Sequence, residues 1–370
     1  MEGRILLSTR PRRSLTNPNL QRPSALNSKP RSSNSIWLDK NENLDPAMLN
    51  LSAEILDSIP NWAIATYPES AELYQKLAKW VGVDPLALLL TAGSDGAIRL
   101  TFEAFVEDGD HVLHTKPTFA MYQVYSQMFG ASAIEIEYSS LNSQPSLNLK
   151  EILDSIKKYK PKLVCLPNPD SPTGTILSQE DLKSILTVCE ESETLLLVDE
   201  AYHPFYHWSI VPWISESKNL VIARTFAKAW GAAGLRIGYL VGHPELISLI
   251  HKMRPMYEVS TIAVEFMSRM LDKVSEMEDS VSRIQTGKNF FREQMKSLRY
   301  KVLDTEGNFI HVAFGNDYSL VNAALTGQIL YRGSFEHKSV EGYSRFTVAP
   351  IEIMSKVVDL IQNAVIDKIK

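Results

Sequence analysis

A lysine surrounded by small residues is the most informative chemical feature of this chain. Lys228 lies in the segment ARTFAKAWGAAGLRIGY (223–239), directly after an apolar run. Small neighbours let a flat ligand lie against the backbone, and loss of solvation lowers the pKa of a lysine, which suits an amine nucleophile. Arg236 and Thr225 can bind a phosphate group of the same ligand, the arginine through two N–H groups. The alternative is a lysine in an ordinary loop with a chance arginine nearby.

Two further segments place polar groups after apolar runs. In LLLVDEAY, Asp199 ends a fully apolar run, where α/β sheets carry ligand-binding groups, and Tyr202 can approach from the same side. A carboxylate there can pair with a protonated ring nitrogen, although an aspartate that only caps the next turn is the simpler alternative. In PNPDSPTG (167–174), three prolines and a glycine predict a rigid turn that holds Asn168 near Asp199, or simply a loop.

A glycine-containing turn precedes the predicted helix after position 96. The segment TAGSDG (91–96) is typical of an anion-binding helix N-terminus, in which Gly93, Ser94 and Asp95 present backbone N–H groups to a phosphate. A single turn of this kind is weak evidence by itself. Together with the lysine, arginine and aspartate, it predicts a site for a flat, phosphorylated ligand.

The elements that must position these residues alternate between strands and helices. Apolar runs predict strands at 86–91, 111–115, 133–138, 162–167, 194–200, 220–225 and 237–242, with helices between them. This order indicates an α/β domain with a largely parallel sheet. Long amphipathic helices at 262–298 and strands at 309–314 and 344–349 predict a second, smaller α+β lobe. We therefore expect a large ligand-binding domain at 61–255, and a small domain formed by 36–60 and 256–370.

Composition excludes several functional classes. The 370 residues are 44% hydrophobic and 22% charged, with a net charge of −5, which argues against a nucleic-acid or membrane surface as the partner. The two cysteines, Cys165 and Cys189, have neither disulfide-framework nor metal-ligand spacing, so we expect no metal and a cytoplasmic location. The histidines also lack ligand spacing.

The first 35 residues are basic and rich in Ser, Pro and Asn. Arginine-rich, acid-poor starts occur in organellar transit peptides. However, prolines at 11, 18, 23 and 30 would break the amphipathic helix of such a peptide. A flexible arm, 1–35, that can embrace a partner is the preferred interpretation.

The chain resembles fold-type I pyridoxal-phosphate enzymes, and most closely the histidinol-phosphate aminotransferase family. The resemblance covers roughly 38–350 and rests on these segments: LDKNEN (38–43), TYPES (66–70), TAGSDGAI (91–98), KPTFAMY (116–122), PNPDSPTG, VDEAY (198–202), the block at 223–239 and SRFTVAP (344–350). It implies a large domain with a mostly parallel seven-stranded sheet plus a smaller α+β domain. It also implies pyridoxal 5′-phosphate as cofactor.

The resemblance implies a role for each matching residue. Lys228 would hold the cofactor as a Schiff base and move the substrate proton, and Asp199 would pair with the pyridine nitrogen. The remaining cofactor contacts would be Asn168 and Tyr202 at the phenolic oxygen, Phe119 on the ring face, and Gly93, Ser94, Asp95, Thr225 and Arg236 at the phosphate. Tyr67 would reach the phosphate of a neighbouring subunit, which implies a homodimer. Arg345, Arg332 and Asn43 would bind substrate.

The expected reaction is a ping-pong transamination between a small-molecule amino donor, with glutamate the expected one, and a keto acceptor. Histidinol phosphate and another small amino acid or phosphorylated amine are the alternative substrates. An amino-acid-phosphate decarboxylase, an oxygen-using variant and a non-catalytic binding protein remain other interpretations, although Lys228, Asp199 and Arg236 together argue against the last.

Several departures from the family pattern are visible, among them the basic arm at 1–35 and Phe119 in place of a common tyrosine. Ala227 replaces a common serine, and Gly96 replaces a common glutamate. The sequence continues after NEN with Leu44, Asp45 and Pro46, where the family has proline and an aromatic residue. That segment closes over the substrate, so its change leaves the substrate open.

Overall fold

The computed structural model describes residues 9, 11–18, 20, 31–141 and 144–366. In chain order its strands are β1 (Ile36–Leu38), β2 (Leu88–Thr91), β3 (His111–Lys116), β4 (Ser132–Glu137), β5 (Ser139–Leu141), β6 (Gln144–Ser146), β7 (Leu163–Pro167), β8 (Leu195–Asp199), β9 (Leu220–Thr225), β10 (Gly238–Gly242), β11 (Lys301–Leu303), β12 (Phe309–Ala313), β13 (Ile329–Ser334) and β14 (Ser344–Thr347). Its helices are α1 (Pro46–Ser58), α2 (Ala71–Val81), α3 (Gly93–Phe105), α4 (Met121–Phe129), α5 (Leu149–Tyr159), α6 (Gln179–Glu191), α7 (Pro244–His251), α8 (Thr261–Met270), α9 (Val274–Ser297), α10 (Tyr318–Leu325) and α11 (Ile351–Ile366).

The large sheet contains all seven strands that the sequence predicts before residue 242. Its order is β2-β10-β9-β8-β7-β3-β4, and β10 alone runs antiparallel to both neighbours. Strands β2, β7, β8, β9 and β10 are buried at every residue. Helices cover both faces, which explains why these strands are continuous apolar runs rather than alternating ones. The predicted α/β architecture is confirmed.

A smaller five-stranded sheet has the order β1-β13-β14-β12-β11. Strands β12 and β14 correspond to the two predicted strands, and β1 pairs in parallel with β13, which brings residues 36–38 into the small lobe. Strands β1, β11 and β13 and the β5–β6 hairpin are not among the strands predicted from the apolar runs. These strands are short and only partly buried, so they carry no clear periodic signal.

The division between the two cores differs from the predicted boundary at 256. Helix α8 and Met277 pack in the same apolar cluster as the large sheet, and the cluster of the small sheet takes its first α9 residue at Ile284. A turn at Leu271–Lys273 separates α8 from α9. The sequence pattern is continuous across that turn because both helices are amphipathic, so periodicity could not show where packing changes lobe.

The predicted flexible arm, 1–35, is partly docked. A short 3-10 turn at Arg13–Thr16 lies against α4, where the Ser14 hydroxyl donates to the Met128 carbonyl at 2.7 Å. Arg31 forms ion pairs with Asp39 at 2.8 Å and Glu42 at 2.7 Å. The rest of the arm (1–8, 10, 19 and 21–30) lies outside the described residues. Within the described part of the chain, no helix is long and apolar enough to cross a membrane.

Helix α9 crosses the small lobe at a glycine. A Cβ atom built on Gly287 would lie 1.9 Å from the carbonyl oxygen of Ala349, which is closer than atoms can approach. We expect Gly287→Ala to lower the free energy of unfolding by about 1–3 kcal/mol, even though alanine in a helix interior normally adds roughly 0.5–1 kcal/mol relative to glycine. Urea unfolding followed by circular dichroism measures the change.

Gly234→Ala is the matched control, since no heavy atom lies within 4 Å of its added Cβ. An unchanged urea midpoint in Gly287→Ala would contradict this packing.

Candidate active site

A cavity of about 320 Å³ opens at the carboxyl ends of the parallel strands. The predicted residues that line it are Ser94, Asp95, Phe119, Asp199, Tyr202, Thr225, Lys228, Arg236, Arg332 and Arg345. Gly93 lies beside it, against Arg236, and Asn168 sits between the lining residues Pro167 and Pro169. Asn43 and Tyr67 do not line it. The structure therefore brings together groups from seven separated segments.

Lys228 lies three residues beyond the end of β9 and is held at its tip. Its Nζ donates to the carbonyl oxygen of Lys40 at 2.7 Å and lies 5.9 Å from the centre of the Tyr202 ring. Desolvation, with the Arg345 charge as the next cause, lowers the pKa of Lys228 to about 8. A minor fraction of the amine is therefore neutral and nucleophilic at neutral pH, and this fraction becomes the larger one above about pH 8.

Asp199 is the buried carboxylate of the site. It ends β8 and accepts hydrogen bonds from the Tyr122 hydroxyl and the Ala201 amide, each at 3.0 Å. Burial raises the pKa of Asp199 to about 6, and these two hydrogen bonds oppose the rise. Such a carboxylate is stabilised most by a cationic partner. A protonated ring nitrogen would supply one.

Tyr122 contributes to the site although its sequence position does not predict this. It follows Phe119 by three residues, and the two rings meet edge to face with centroids 5.9 Å apart. The Tyr122 ring is fully buried, and its hydroxyl reaches Asp199. The motif KPTFAMY contained the residue, but only the tertiary fold shows that its hydroxyl points to β8.

The start of α3 and Arg236 form an anion-binding corner. Arg236 adopts a left-handed backbone conformation with φ of 52°, and its Nη1 donates to the Ala233 carbonyl at 3.1 Å. Gly93 has a φ of 77°, which favours glycine, and a Cβ there would lie 2.8 Å from Arg236 Nη2 and would displace the guanidinium from the helix start. Backbone N–H groups and a guanidinium together suit a phosphate.

Two arginines extend the cavity from the small lobe. Arg332 on β13 and Arg345 on β14 are cross-strand partners. Arg345 is 6% exposed and donates to the Asp39 carbonyl at 3.1 Å, and its Nε has no hydrogen-bond partner among the described residues. Burial lowers the pKa of Arg345. Phe335 lies 5.7 Å from the Arg332 guanidinium and 6.0 Å from that of Arg345.

The placement of Asn43 does not agree with the predicted substrate contact. Its Nδ2 donates to the Ala229 carbonyl at 2.9 Å and to Ser280 Oγ at 3.1 Å, and its Oδ1 accepts from the Asp45 amide. These hydrogen bonds occupy the Asn43 side chain and anchor the segment around it. The side chain therefore does not face the cavity.

Asn41 takes a position in the cavity instead. It has a φ of 56° and donates from Nδ2 to the Tyr202 hydroxyl at 2.8 Å. The departing residues Leu44, Asp45 and Pro46 open α1, where Asp45 caps the helix and pairs with Arg283 at 2.6 Å. These residues therefore have a local structural role at the start of α1.

The two remaining predicted residues have distinct placements. The Asn168 amide donates to the Asp199 carbonyl at 2.9 Å, while its side-chain Oδ1 accepts from Leu177 at 2.8 Å, which fixes the plane of the side chain beside Asp199. Tyr67 is 72% exposed and stacks on Tyr257 with ring centroids 4.2 Å apart. It does not reach the cavity of its own chain.

The arrangement fits pyridoxal phosphate. It offers an amine with a lowered pKa, an aromatic face at Phe119 and an anion-binding corner within one cavity. It also offers the buried carboxylate of Asp199, which forms no ion pair with any residue that the structure describes. The additional pair of arginines exceeds what one phosphate requires. A second anionic ligand can therefore bind beside the cofactor.

The buried carboxylate has a measurable effect on the protein without cofactor. Because the pKa of Asp199 is raised from 3.8 to about 6, its ionisation costs folding stability as pH rises from about 4 to 6, and the full cost is present at pH 7.5. We expect cofactor-free Asp199→Asn to exceed wild type by up to about 3 kcal/mol at pH 7.5 and to lose this advantage below about pH 4. Urea unfolding at several pH values measures it.

The same substitution at the exposed Asp84 controls for loss of a surface charge. The prediction is contradicted if wild-type protein is more stable than Asp199→Asn at pH 7.5, because the buried carboxylate would then carry no net cost.

Comparison with known proteins identifies the family of the chain. Residues 33–359 match the model of the family described as aminotransferase class I and II. A histidinol-phosphate aminotransferase from Caldanaerobacter subterraneus subsp. tengcongensis is 31% identical over 315 residues, which cover 84% of this chain and 88% of that protein.

Two solved structures share the fold. One is a histidinol-phosphate aminotransferase from Sinorhizobium meliloti in complex with pyridoxal-5′-phosphate, with a TM-score of 0.75 and 22% identity, covering 89% of this chain and 91% of that one. The other is the L-threonine-O-3-phosphate decarboxylase from Porphyromonas gingivalis, with a TM-score of 0.73 and 22% identity, covering 89% and 98%. The chain belongs to the aminotransferase class I and II family and is a pyridoxal-phosphate-dependent transaminase.

Proposed function

We propose that this transaminase acts on a phosphorylated amine, with histidinol phosphate as the leading substrate and glutamate as the amino donor, in a ping-pong reaction. The observation that carries the proposal is the pair Arg332 and Arg345, which add two guanidinium groups to a cavity that already has an anion-binding corner at Arg236. Guanidinium groups bind phosphate and carboxylate through paired N–H donors. A curated relative named histidinol-phosphate aminotransferase supports the choice of substrate.

The residues of the cavity divide the work. When bound, pyridoxal phosphate supplies an electron sink for the electron pair left when a substrate carbon loses its proton. Lys228 would hold the cofactor covalently and, once released, would carry that proton as a buried amine whose pKa is lowered in this cavity. Asp199 would stabilise a protonated ring nitrogen, and Phe119 would cover a ring face. Asn168 and Tyr202 would donate to the phenolic oxygen.

Anion binding is divided between two groups of residues. Gly93, Ser94, Asp95, Thr225 and Arg236 hold the cofactor phosphate. Arg345 binds the carboxylate of the donor, or in its place the phosphate of the second substrate, and Arg332 adds a further donor for phosphate. Because both substrates use one cavity in turn, a single set of cations can serve a carboxylate and a phosphate in alternate half-reactions.

We also propose that the active unit is a homodimer. Large apolar side chains are exposed around Tyr67: Trp62 at 52%, Ile64 at 83%, Met256 at 77% and Tyr257 at 50%. Contiguous apolar surface of this kind is typical of a protein interface. Since Tyr67 is directed away from its own cavity, burial of this patch against a second copy would let Tyr67 complete the phosphate site of that copy.

Loss of Arg332 tests the substrate. With purified holoenzyme, we expect histidinol phosphate and glutamate each to convert the cofactor to its amine form, seen as a change in its absorbance. Arg332→Gln should raise KM for histidinol phosphate by about 10- to 100-fold, the value of a charge-assisted hydrogen bond to phosphate. It should leave the response to dephosphorylated histidinol nearly unchanged.

Arg332→Lys, which keeps the charge, should recover part of the loss. Lys228→Ala should abolish the response to every donor. Failure of histidinol phosphate with success of another phosphorylated amine would change the substrate, while release of carbon dioxide without a keto-acid requirement would favour decarboxylation.

Mixing two inactive variants tests the shared site. Lys228→Ala lacks the amine, and Tyr67→Ala lacks the side chain that would cross between subunits. After unfolding and refolding together at equal amounts, about half of the dimers should be mixed, each with one complete site, so activity should recover to about a quarter of wild type. Activity no higher than the sum of the separately refolded variants would show that Tyr67 acts within its own chain.

A further inference from the structure

A second cavity lies directly behind the cofactor site. Its volume is about 1010 Å³, roughly three times that of the catalytic cavity. Residues that are adjacent in the chain line different cavities. Thr225 and Tyr202 line the catalytic cavity, whereas their neighbours Arg224 and His203 line the second cavity. Arg224 and Thr225 belong to β9, in which successive side chains point to opposite faces, whereas Tyr202 and His203 lie in the turn that follows β8. The same backbone segments therefore form one wall of each cavity.

The polar floor of the second cavity is already neutralised. Arg224 donates from Nε and Nη2 to Glu200 Oε2 at 2.9 and 2.8 Å, and from Nη2 to Ser209 Oγ at 2.7 Å. Glu200 also accepts from the Ile210 amide at 2.9 Å. Both charged side chains are almost fully buried. Because Glu200 occupies two N–H groups of Arg224, this guanidinium is not free to bind an anion.

The walls of this cavity are aromatic and aliphatic. They include Trp80, Trp208, Val83, Ile214 and Met277. The His203 ring meets Trp80 with centroids 6.0 Å apart, and its Nδ1 is buried without a hydrogen-bond partner in the described part of the chain. Burial, then the nearby Arg224, lowers the pKa of His203 to about 2, so this imidazole is neutral. Most of the lining thus suits an uncharged ring.

The rim carries negative charge. Asp84 and Glu278 are exposed lining residues, and no ion pair joins either of them to another residue that the structure describes. Asp84 Oδ1 accepts a hydrogen bond from the Leu86 amide at 2.8 Å, which leaves its negative charge without a cationic partner among those residues. With the floor neutral, these two carboxylates give the mouth a net negative potential. Aromatic walls and adjacent carboxylates together favour a cation attached to a ring.

We propose that this second cavity binds a small aromatic or heteroaromatic ammonium compound, with its ring against Trp80 and Trp208 and its cationic group toward Asp84 and Glu278. Packed aromatic side chains connect this site with the catalytic centre. Trp80 packs edge to face on the buried Trp230 with centroids 5.0 Å apart, and Trp230 follows Lys228 by two residues. A ligand that displaces Trp80 would therefore also displace Trp230 and the loop that carries Lys228.

Calorimetric titration of the holoenzyme with benzyltrimethylammonium tests the proposal. This probe has a ring and a permanent charge, and it has no amine that could react with the cofactor. We expect one site per chain, with a Kd on the order of 1 mM or tighter for a ligand of this size. Benzyl alcohol, the uncharged analogue, should bind at least about fivefold more weakly.

Two kinds of variant separate this site from others. Asp84→Asn combined with Glu278→Gln should weaken benzyltrimethylammonium about fivefold and leave benzyl alcohol unchanged. Val83→Trp and, separately, Ser215→Trp should each fill the cavity and abolish binding. Retained transamination activity in either one shows that the chain is folded, and the two serve as alternatives if one fails to fold.

Three results would overturn the proposal. They are an absence of saturable binding, equal affinity for the charged and uncharged probes, and binding that survives in the filled variants. If the probe competes with the amino donor and binds the filled variants with unchanged affinity, it is bound in the catalytic cavity instead.

Discussion

The parallel strands β7, β8 and β9 end at one edge of the large sheet, and the active site depends on that constraint. The Asn168 amide bonds to the Asp199 carbonyl, and the Glu200 amide bonds to the Ala223 carbonyl, each at 2.9 Å. These ladder bonds place three strand ends side by side, so polar residues far apart in the chain become neighbours. The antiparallel β10 returns along β9 and packs Gly238 against Gly93, which brings Arg236 to the start of α3.

Burial of charge is what makes this edge reactive. Desolvation lowers the pKa of Lys228 to about 8 and raises that of Asp199 to about 6, so each group is shifted toward its neutral form. Hydrogen bonds partly offset the free-energy cost of desolvating these two groups. Lys228 donates to the Lys40 carbonyl, and Asp199 accepts from the Tyr122 hydroxyl. A bound cofactor that carries opposite charges would reduce the desolvation cost of both groups. The stability of the site therefore depends on whether the cofactor is bound.

The small lobe is joined to this edge by a loop that a buried lysine organises. Lys288, on α9, is 2% exposed and donates to the carbonyl oxygens of Thr305 and Gly307 at 2.5 and 2.8 Å. The next residue of that loop, Asn308, donates to the Asn41 carbonyl at 3.1 Å. The loop also contacts the segment that follows β7, where the Glu306 amide bonds to the Gly174 carbonyl. Through these contacts the small lobe sets the position of Asn41 beside Tyr202, and its arginines face the same cavity.

The sequence by itself determined the class of fold and the identity of most site residues. Five strands of the large sheet are continuous, fully buried apolar runs. Lys228, Asp199 and Arg236 lie at or near strand ends, in residue types and spacings that few other functions require. Local signals of this kind depend only on neighbouring residues. They could not show that Tyr122 bonds to Asp199, that Asn41 rather than Asn43 enters the cavity, or that α8 packs with the large lobe. Those outcomes, like the second cavity behind β8 and β9, depend on side chains that meet across tens or hundreds of residues, and only the packed tertiary structure decides which of them touch.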